Sequence, residues 1–201
     1  MPDYEIKEHN EGNYDVRKIL FTSQAYDKKK WAFITDYARF NILYNEGGIY
    51  LDADVELIKS LDPIVEKGNP FGGFDKVGYF NSALGIGGQK GTRIFGLIAH
   101  EYDAATFVRP NGKIRWIYNY MREANVLNKL GYKAGNVGFQ TIGGMDIYPA
   151  EYFSPYDYVE NKIVLTDNTY SIHHILSSWM TEDIKRKIVE IHPKLKDKYN
   201  V

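Results

Sequence analysis

Cysteine is absent from the chain, which excludes a disulfide scaffold, a thiolate metal centre and a cysteine nucleophile. An excess of either charge is missing too. The 25 Lys and Arg residues are balanced by 26 Asp and Glu, so the basic surplus that grips a phosphate backbone is lacking and nucleic acid is not an expected partner. No apolar run approaches the roughly 20 residues that a membrane-spanning helix needs. The opening "MPDYEIKEHNEG" is polar and acidic, unlike a signal peptide. A cytoplasmic, reducing setting fits these absences.

What is present suits one core. At 201 residues with 44% hydrophobic content, the chain is long enough for one substantial core and short for two. The expected organisation is a single domain over 1–201, with a strand and loop in 1–22, a core over 23–180 and a helical tail over 181–201. Aromatics reach 15%, with 17 Tyr; aromatic packing is the first explanation and a sugar-stacking surface the second. The tail carries six Lys or Arg against four acids. It reads as a solvated amphipathic helix interrupted at Pro193, in preference to a membrane-surface patch.

Along the chain, Tyr4 to Lys7 reads as a short strand. The pattern from Ser23 to Asn45 is helical, with Trp31, Ile34, Ala38 and Ile42 on one stripe and Phe33, Tyr37, Phe40 and Tyr44 beside it. A face that wide predicts a mostly buried helix. Gly47 and Gly48 supply its stop, since glycine accepts the left-handed geometry of a helix C-terminus. Ile49 to Glu56 then alternates as a strand, with Tyr50, Asp52, Asp54 and Glu56 on one face. Helix, glycine and strand in succession make an α/β unit. Phe80 to Ile86 predicts a further strand, and helices are expected near 92–105 and 113–130.

The stretch "GGIYLDADVEL" raises the chemical question. Carboxylates two apart on a strand share a face, with Cα atoms roughly 7 Å apart. Asp52 and Asp54 can therefore converge on one hard cation. Mg²⁺ and Mn²⁺ prefer oxygen ligands, and Mg²⁺ is commonly held by one or two carboxylates plus substrate phosphates. Alone the pair is weak, because acids on the wet face of a strand are common. Other motifs are excluded. A calcium loop starting at Asp52 would need Gly and Glu where Leu57 and Pro63 stand. "GIGGQKG" has Lys90 where the dinucleotide fingerprint needs its third Gly. His100-Glu101 lacks the second histidine of a zinc protease, and no Gly-x-Ser-x-Gly elbow exists. An aspartate-nucleophile phosphatase also places Asp-x-Asp at a strand end, but Val55 follows the second Asp where Gly is usual.

"KWAFITDYARFNILYNEGGIYLDADVELIKSLDPIV", Lys30 to Val65, resembles the DXD-containing sugar transferases of glycosyltransferase family thirty-two. Bacterial capsular-polysaccharide enzymes and fungal initiating mannosyltransferases belong to that family, and the clostridial glucosylating toxins are distant relatives. Asp36 and Arg39 lie three apart, then Gly47-Gly48, then Tyr50-x-Asp52-x-Asp54. "YSIHHILSSWM", Tyr170 to Met180, resembles the family's C-terminal signature, and "YFNSALGI" the segment carrying a pocket Asn. The resemblance implies an α/β, GT-A-like (Rossmann-like) nucleotide-sugar transferase domain with a mixed sheet flanked by helices, binding Mn²⁺ or Mg²⁺.

By the same resemblance, Asp54 would ligate the metal, and Asp52 would contact the ribose or sugar and the metal's water shell. His174 would be a further metal or diphosphate contact. Ser177 and Trp179 would hold the diphosphate, Asp36 and Arg39 the sugar hydroxyls, and Tyr50 and Asn81 would line the pocket. The implied partners are a nucleotide-sugar donor, with UDP-sugar expected, and a glycan or polysaccharide acceptor. The implied chemistry is hexosyl transfer with retention; the implied setting is cytoplasmic or peripheral at the inner face of the membrane. The family usually opens with a further segment bearing a first strand, whereas this sequence starts at "MPDYEIKEHNE". That departure carries the expectation of an N-terminally truncated sheet, of dimerisation through an exposed edge, and of a second reading, a non-catalytic remnant that binds nucleotide-sugar or metal.

Overall fold

The computed structural model of the protein describes residues 4–133, 135, 137–157, 160–176 and 180–200. Tyr4 to Lys7 forms no strand, so the expected first strand is absent there; the Tyr4 hydroxyl instead donates to Asp62. Helix α1 (Leu20–Asp27) and helix α2 (Trp31–Glu46) replace the single helix expected over 23–45. Lys29 between them takes a left-handed φ of 54°, which ends one helix and re-aims the chain into the next. On α2 the wide apolar face is present: Phe33, Ile34, Tyr37, Ala38, Phe40 and Leu43 are buried, while Trp31 at its start remains half exposed.

Gly47 ends α2 as its residue type predicts, donating its N–H to Leu43 O at 2.9 Å with φ 76°. A Cβ at Gly47 would sit 2.7 Å from the Lys90 backbone nitrogen, so glycine serves both the turn and the close approach of these two backbone segments.

Strands β1 (Gly48–Tyr50) and β2 (Val55–Leu57) follow, then helix α3 (Asp62–Val65), β3 (Phe71–Gly73) and β4 (Ile86–Gly88). The strand expected over 80–86 is reduced to a bridge between Phe80 and Phe74, because Ser82–Leu84 coils into a 3-10 turn. Helices α4 (Arg93–His100) and α5 (Asn119–Lys129) are both shorter than the sequence pattern implies. Next come β5 (Gln140–Ile142), β6 (Met145–Tyr148), α6 (Ala150–Phe153), β7 (Tyr156–Asp157), β8 (Lys162–Ile163) and β9 (Ser171–His173). The tail holds α7 (Glu182–Ile191) and the short α8 (Lys196–Tyr199), with Pro193 opening a 3-10 turn between them.

The architecture is α/β. Five strands form a mixed sheet in the order β1-β4-β3-β6-β5, in which β3 and β6 run parallel and the other neighbours antiparallel. Successive strand residues face opposite sides, and both sides are covered. Ile86, Met145 and Ile147 pack with Phe40, Phe95 and Ile98 of α2 and α4. Phe71 and Tyr148 pack on the other side with Leu61, Ile64 and Phe153, beside α3 and α6. Much of the aromatic content is spent in this packing: Phe21, Phe40, Phe74, Phe80, Phe95 and Phe107 are all at most 2% exposed. Among the described residues no helix is long and apolar enough to cross a membrane.

Close sheet-to-ring contact yields a stability test. A Cβ at Gly87 would stand 2.4 Å from Phe71 Cε1, and Phe71 is itself buried in the second core layer. Gly87→Ala is expected to destabilise the fold by about 1–3 kcal/mol through overpacking, read as a lowered urea midpoint; an unchanged midpoint would contradict the packing described.

Candidate functional site

The Asp-x-Asp run is not a strand. β1 stops at Tyr50; Asp52, Ala53 and Asp54 form a turn closed by the Val55 N–H donating to Asp52 O at 3.0 Å; pairing resumes at Val55 in a different sheet. The shared-face argument for the two acids therefore fails, yet the turn brings their carboxylates together by another route. One ligand atom from each of Asp52, Asp54 and His173 lies within 4.8 Å of the other two.

The histidine is delivered by strand register. β2 pairs antiparallel with β9, with Val55 opposite His173, Glu56 opposite Ile172 and Leu57 opposite Ser171. His173 Nε2 lies 3.2 Å from Asp54 Oδ1. Asp54 is fixed further by the Leu176 N–H, which donates to its Oδ2 at 2.8 Å, and by the His174 N–H, which donates to its backbone oxygen at 2.9 Å. His174, the histidine expected beside the acids, is not a member of this group among the described residues. Neighbouring residues of an extended chain point to opposite faces, and the His174 ring turns outward to Glu56 Oε2 at 2.9 Å. Burial holds the His173 imidazole below the usual histidine pKa despite the nearby Asp54, which leaves a neutral ring with a lone pair to offer. Its Nδ1 is buried without a hydrogen-bond partner among the described residues.

Beside this trio sits Arg39, only 3% exposed. Nε donates to Thr35 O at 3.1 Å, Nη1 to Ser82 Oγ at 3.2 Å and Nη2 to Asp36 Oδ1 at 3.1 Å. Nη2 also lies 3.5 Å from Asp52 Oδ1. The guanidinium stacks over the Tyr50 ring at 4.8 Å, and the Tyr50 hydroxyl donates to Asp52 Oδ1 at 2.7 Å. Helix α2 thus reaches the acidic turn through one side chain, with Tyr50 holding the same carboxylate from the strand. Burial pushes the Asp36 carboxyl up to about 6, outweighing the opposite pull of Arg39.

The sequence-derived candidates separate as follows. Asp36, Arg39, Tyr50, Asp52 and Asp54 come together. Asn81 serves locally: its side-chain oxygen accepts the Ala83 N–H at 3.0 Å and caps the 3-10 turn, and its neighbour Ser82 is the residue that reaches Arg39. Ser177 and Trp179 fall outside the described residues. His173 and Ser82, with Glu123 accepting the Ser82 hydroxyl behind it, enter the site without having been singled out as its members. A cleft of about 1300 Å³ borders the site, with Thr35, Arg39, Ile49 and Tyr50 in its wall. Asp52, Asp54 and His173 are not part of that wall, which approaches the acids at Arg39, Tyr50 and Leu51.

Two carboxylates and a neutral imidazole converging within 4.8 Å are a donor set that fits a divalent cation such as Mn²⁺. Residues 1–70 match the family model of the glycosyltransferase sugar-binding region containing a DXD motif. The matched segment contains Asp36, Arg39, Tyr50, Asp52 and Asp54, and it stops well before Ser82, Glu123 and His173. No curated protein and no solved structure matches the chain. The mixed five-stranded sheet flanked by helices is consistent with a GT-A-like domain, and the family match supports a sugar-nucleotide transferase.

The raised Asp36 pKa has a measurable sign. A carboxyl with a folded pKa above its unfolded value contributes stability that is full at low pH and is lost as pH rises through the folded pKa. The stability of the wild type relative to Asp36→Asn is expected to fall between about pH 3.8 and 6, and to be level on either side. Paired urea titrations across that range check it; a wild type that gains stability relative to Asp36→Asn as pH rises would contradict the burial argument.

Proposed function

We propose that the protein is a metal-dependent glycosyltransferase. In this reading it takes a hexose from a nucleotide-sugar, UDP-linked, and passes it to a glycan or polysaccharide acceptor with retention of configuration. The convergence of Asp52, Asp54 and His173 beside the buried Arg39 carries the proposal, and the family match over residues 1–70 supports its class. A cation bound by the trio would neutralise the charge that grows on the leaving diphosphate.

The chain's own groups divide the remaining work. Arg39 donates only, and with Nη2 shared between Asp36 and Asp52 it can swing hydrogen bonds onto a phosphate or sugar hydroxyl. Tyr50 and Leu176 hold Asp52 and Asp54 in orientation, so little reorganisation is needed when charge develops, usually the largest catalytic gain. No side chain stands out as a covalent nucleophile. The acceptor hydroxyl then attacks from the face that the diphosphate leaves: the anomeric C–O bond to phosphate breaks, the new glycosidic bond forms, and the leaving phosphate oxygen takes the proton. The Asp36 carboxylate and the outer edge of β1 at the cleft complete the proposal, the first as a sugar-hydroxyl acceptor and the second as a place where another copy could pair.

Hydrolysis of UDP- and GDP-sugars with Mn²⁺ tests the reading. Asp54→Ala is expected to lose on the order of 100-fold or more in turnover, given that even groups supporting a metal ligand are worth 10–100-fold. His173→Ala should fall in the same direction, and His174→Ala should stay near wild type. Equal turnover by wild type and Asp54→Ala would overturn the proposal. UDP binding without any turnover would favour the non-catalytic reading instead.

A further inference from the structure

Glu123 of α5 is completely buried, 0% exposed, and belongs to neither the acidic turn nor the helix that carries Arg39. Its Oε1 accepts the Ser82 hydroxyl and the Asn119 amide, the latter at 3.3 Å. Ser82 Oγ accepts in turn from Arg39 Nη1 at 3.2 Å. Glu123 Oε2 is buried with no hydrogen-bond partner among the described residues. A continuous path thus runs from α5 through the 3-10 turn and α2 to the acidic turn: Glu123, Ser82, Arg39, Asp52. A buried carboxylate costs several kcal/mol unless it is paired, and here the Ser82 hydroxyl and the nearby Arg39 charge are its compensation.

From this geometry we infer that Glu123 is a positioning residue of the sugar-donor site, holding the Arg39 guanidinium through the Ser82 hydroxyl so that its Nη2 edge stays aimed at Asp52 and the bound diphosphate. The inference rests on the sugar-nucleotide reading of the site. The direction of its pH dependence follows from hydrogen-bond bookkeeping. An ionised Glu123 only accepts, so the Ser82 proton points to it and the Ser82 lone pairs face Arg39. A protonated Glu123 competes as a donor for those lone pairs and frees the Ser82 proton to turn toward Arg39. Burial pushes the Glu123 carboxyl up to about 7, against the Ser82 hydrogen bond and the Arg39 charge, which places this change near neutral pH. The other charged or titratable groups facing it are Asp36 and Arg39 on α2, Tyr102 after α4, and Arg122 on α5. Asp36 titrates nearby, so the assignment needs variants and not a profile alone.

Calorimetric titration with UDP in the presence of Mn²⁺, from pH 6 to 8.5, tests it on wild type, Glu123→Gln, Ser82→Ala and the double variant, each checked for a cooperative melt. Wild-type affinity should fall several-fold toward pH 6. Glu123→Gln should bind about tenfold more weakly at pH 8, the scale of one hydrogen bond to a charged group, and lose the pH dependence. The double variant should be no weaker than the weaker single, because both act through one path. A folded Glu123→Gln with wild-type affinity and profile overturns the inference, and so would fully additive losses. Absence of UDP binding by the wild type would overturn the sugar-nucleotide reading together with the donor-site role. A ligand-free readout separates the two failures: the Arg39 Nε resonance should shift with a midpoint near neutral pH in the wild type and lose that component in Glu123→Gln, and a shift identical in both would overturn the coupling itself.

Discussion

A guanidinium cannot lie buried unless acceptors surround it, and Arg39 sets that demand at the centre of this molecule. It is met from four directions: the Thr35 carbonyl one turn back on α2, Asp36 on the same helix, Ser82 from the 3-10 turn and Asp52 from the acidic turn, with the Tyr50 ring beneath. The contacts to Ser82 and Asp52 fix segments that lie outside the α-helices and the strands. The turn at Asp52 to Asp54 is too short to define its own geometry, and the segment around Ser82 has left its strand. The buried charge therefore acts as a joint between α2 and the irregular backbone at the end of β1.

How much of this was legible in the sequence depended on range. Asp36 and Arg39 are neighbours on a helix whose apolar face is unmistakable, and Tyr50, Asp52 and Asp54 lie within five residues of one another, so all five fall in the one short stretch that carries the family resemblance. The Gly47 stop was legible from its residue type. The break of the first helix at Lys29 was not, since no Pro or Gly marks it and the left-handed φ is borne by a lysine. The strand over 49–56 was misread because alternation of residue types continues through a turn that belongs to neither sheet.

Choosing between His173 and His174 needed information that the sequence holds only in tertiary form. Parity along an extended segment says that the two rings face opposite ways. Which one meets the acids is decided by the pairing of Val55 with His173, a contact between distant parts of the chain. Ser82 and Glu123 were hidden similarly: a serine in a loop and a glutamate on a half-solvated helix have no local signal of burial. Only the placement of α5 beside the 3-10 turn reveals that their side chains share an interior.

The pairing of β2 with β9 also has a bearing on the order in which the molecule is made. Asp54 and the Leu176 amide that fixes it are separated by 122 residues, and the imidazole beside them belongs to the last strand. Before β9 is made, Asp52 already has Tyr50 and Arg39 to meet, whereas Asp54 still lacks the Leu176 amide and the His173 ring. The three groups can thus meet only once β9 has docked on β2, and β9 follows every strand of the five-stranded sheet in chain order.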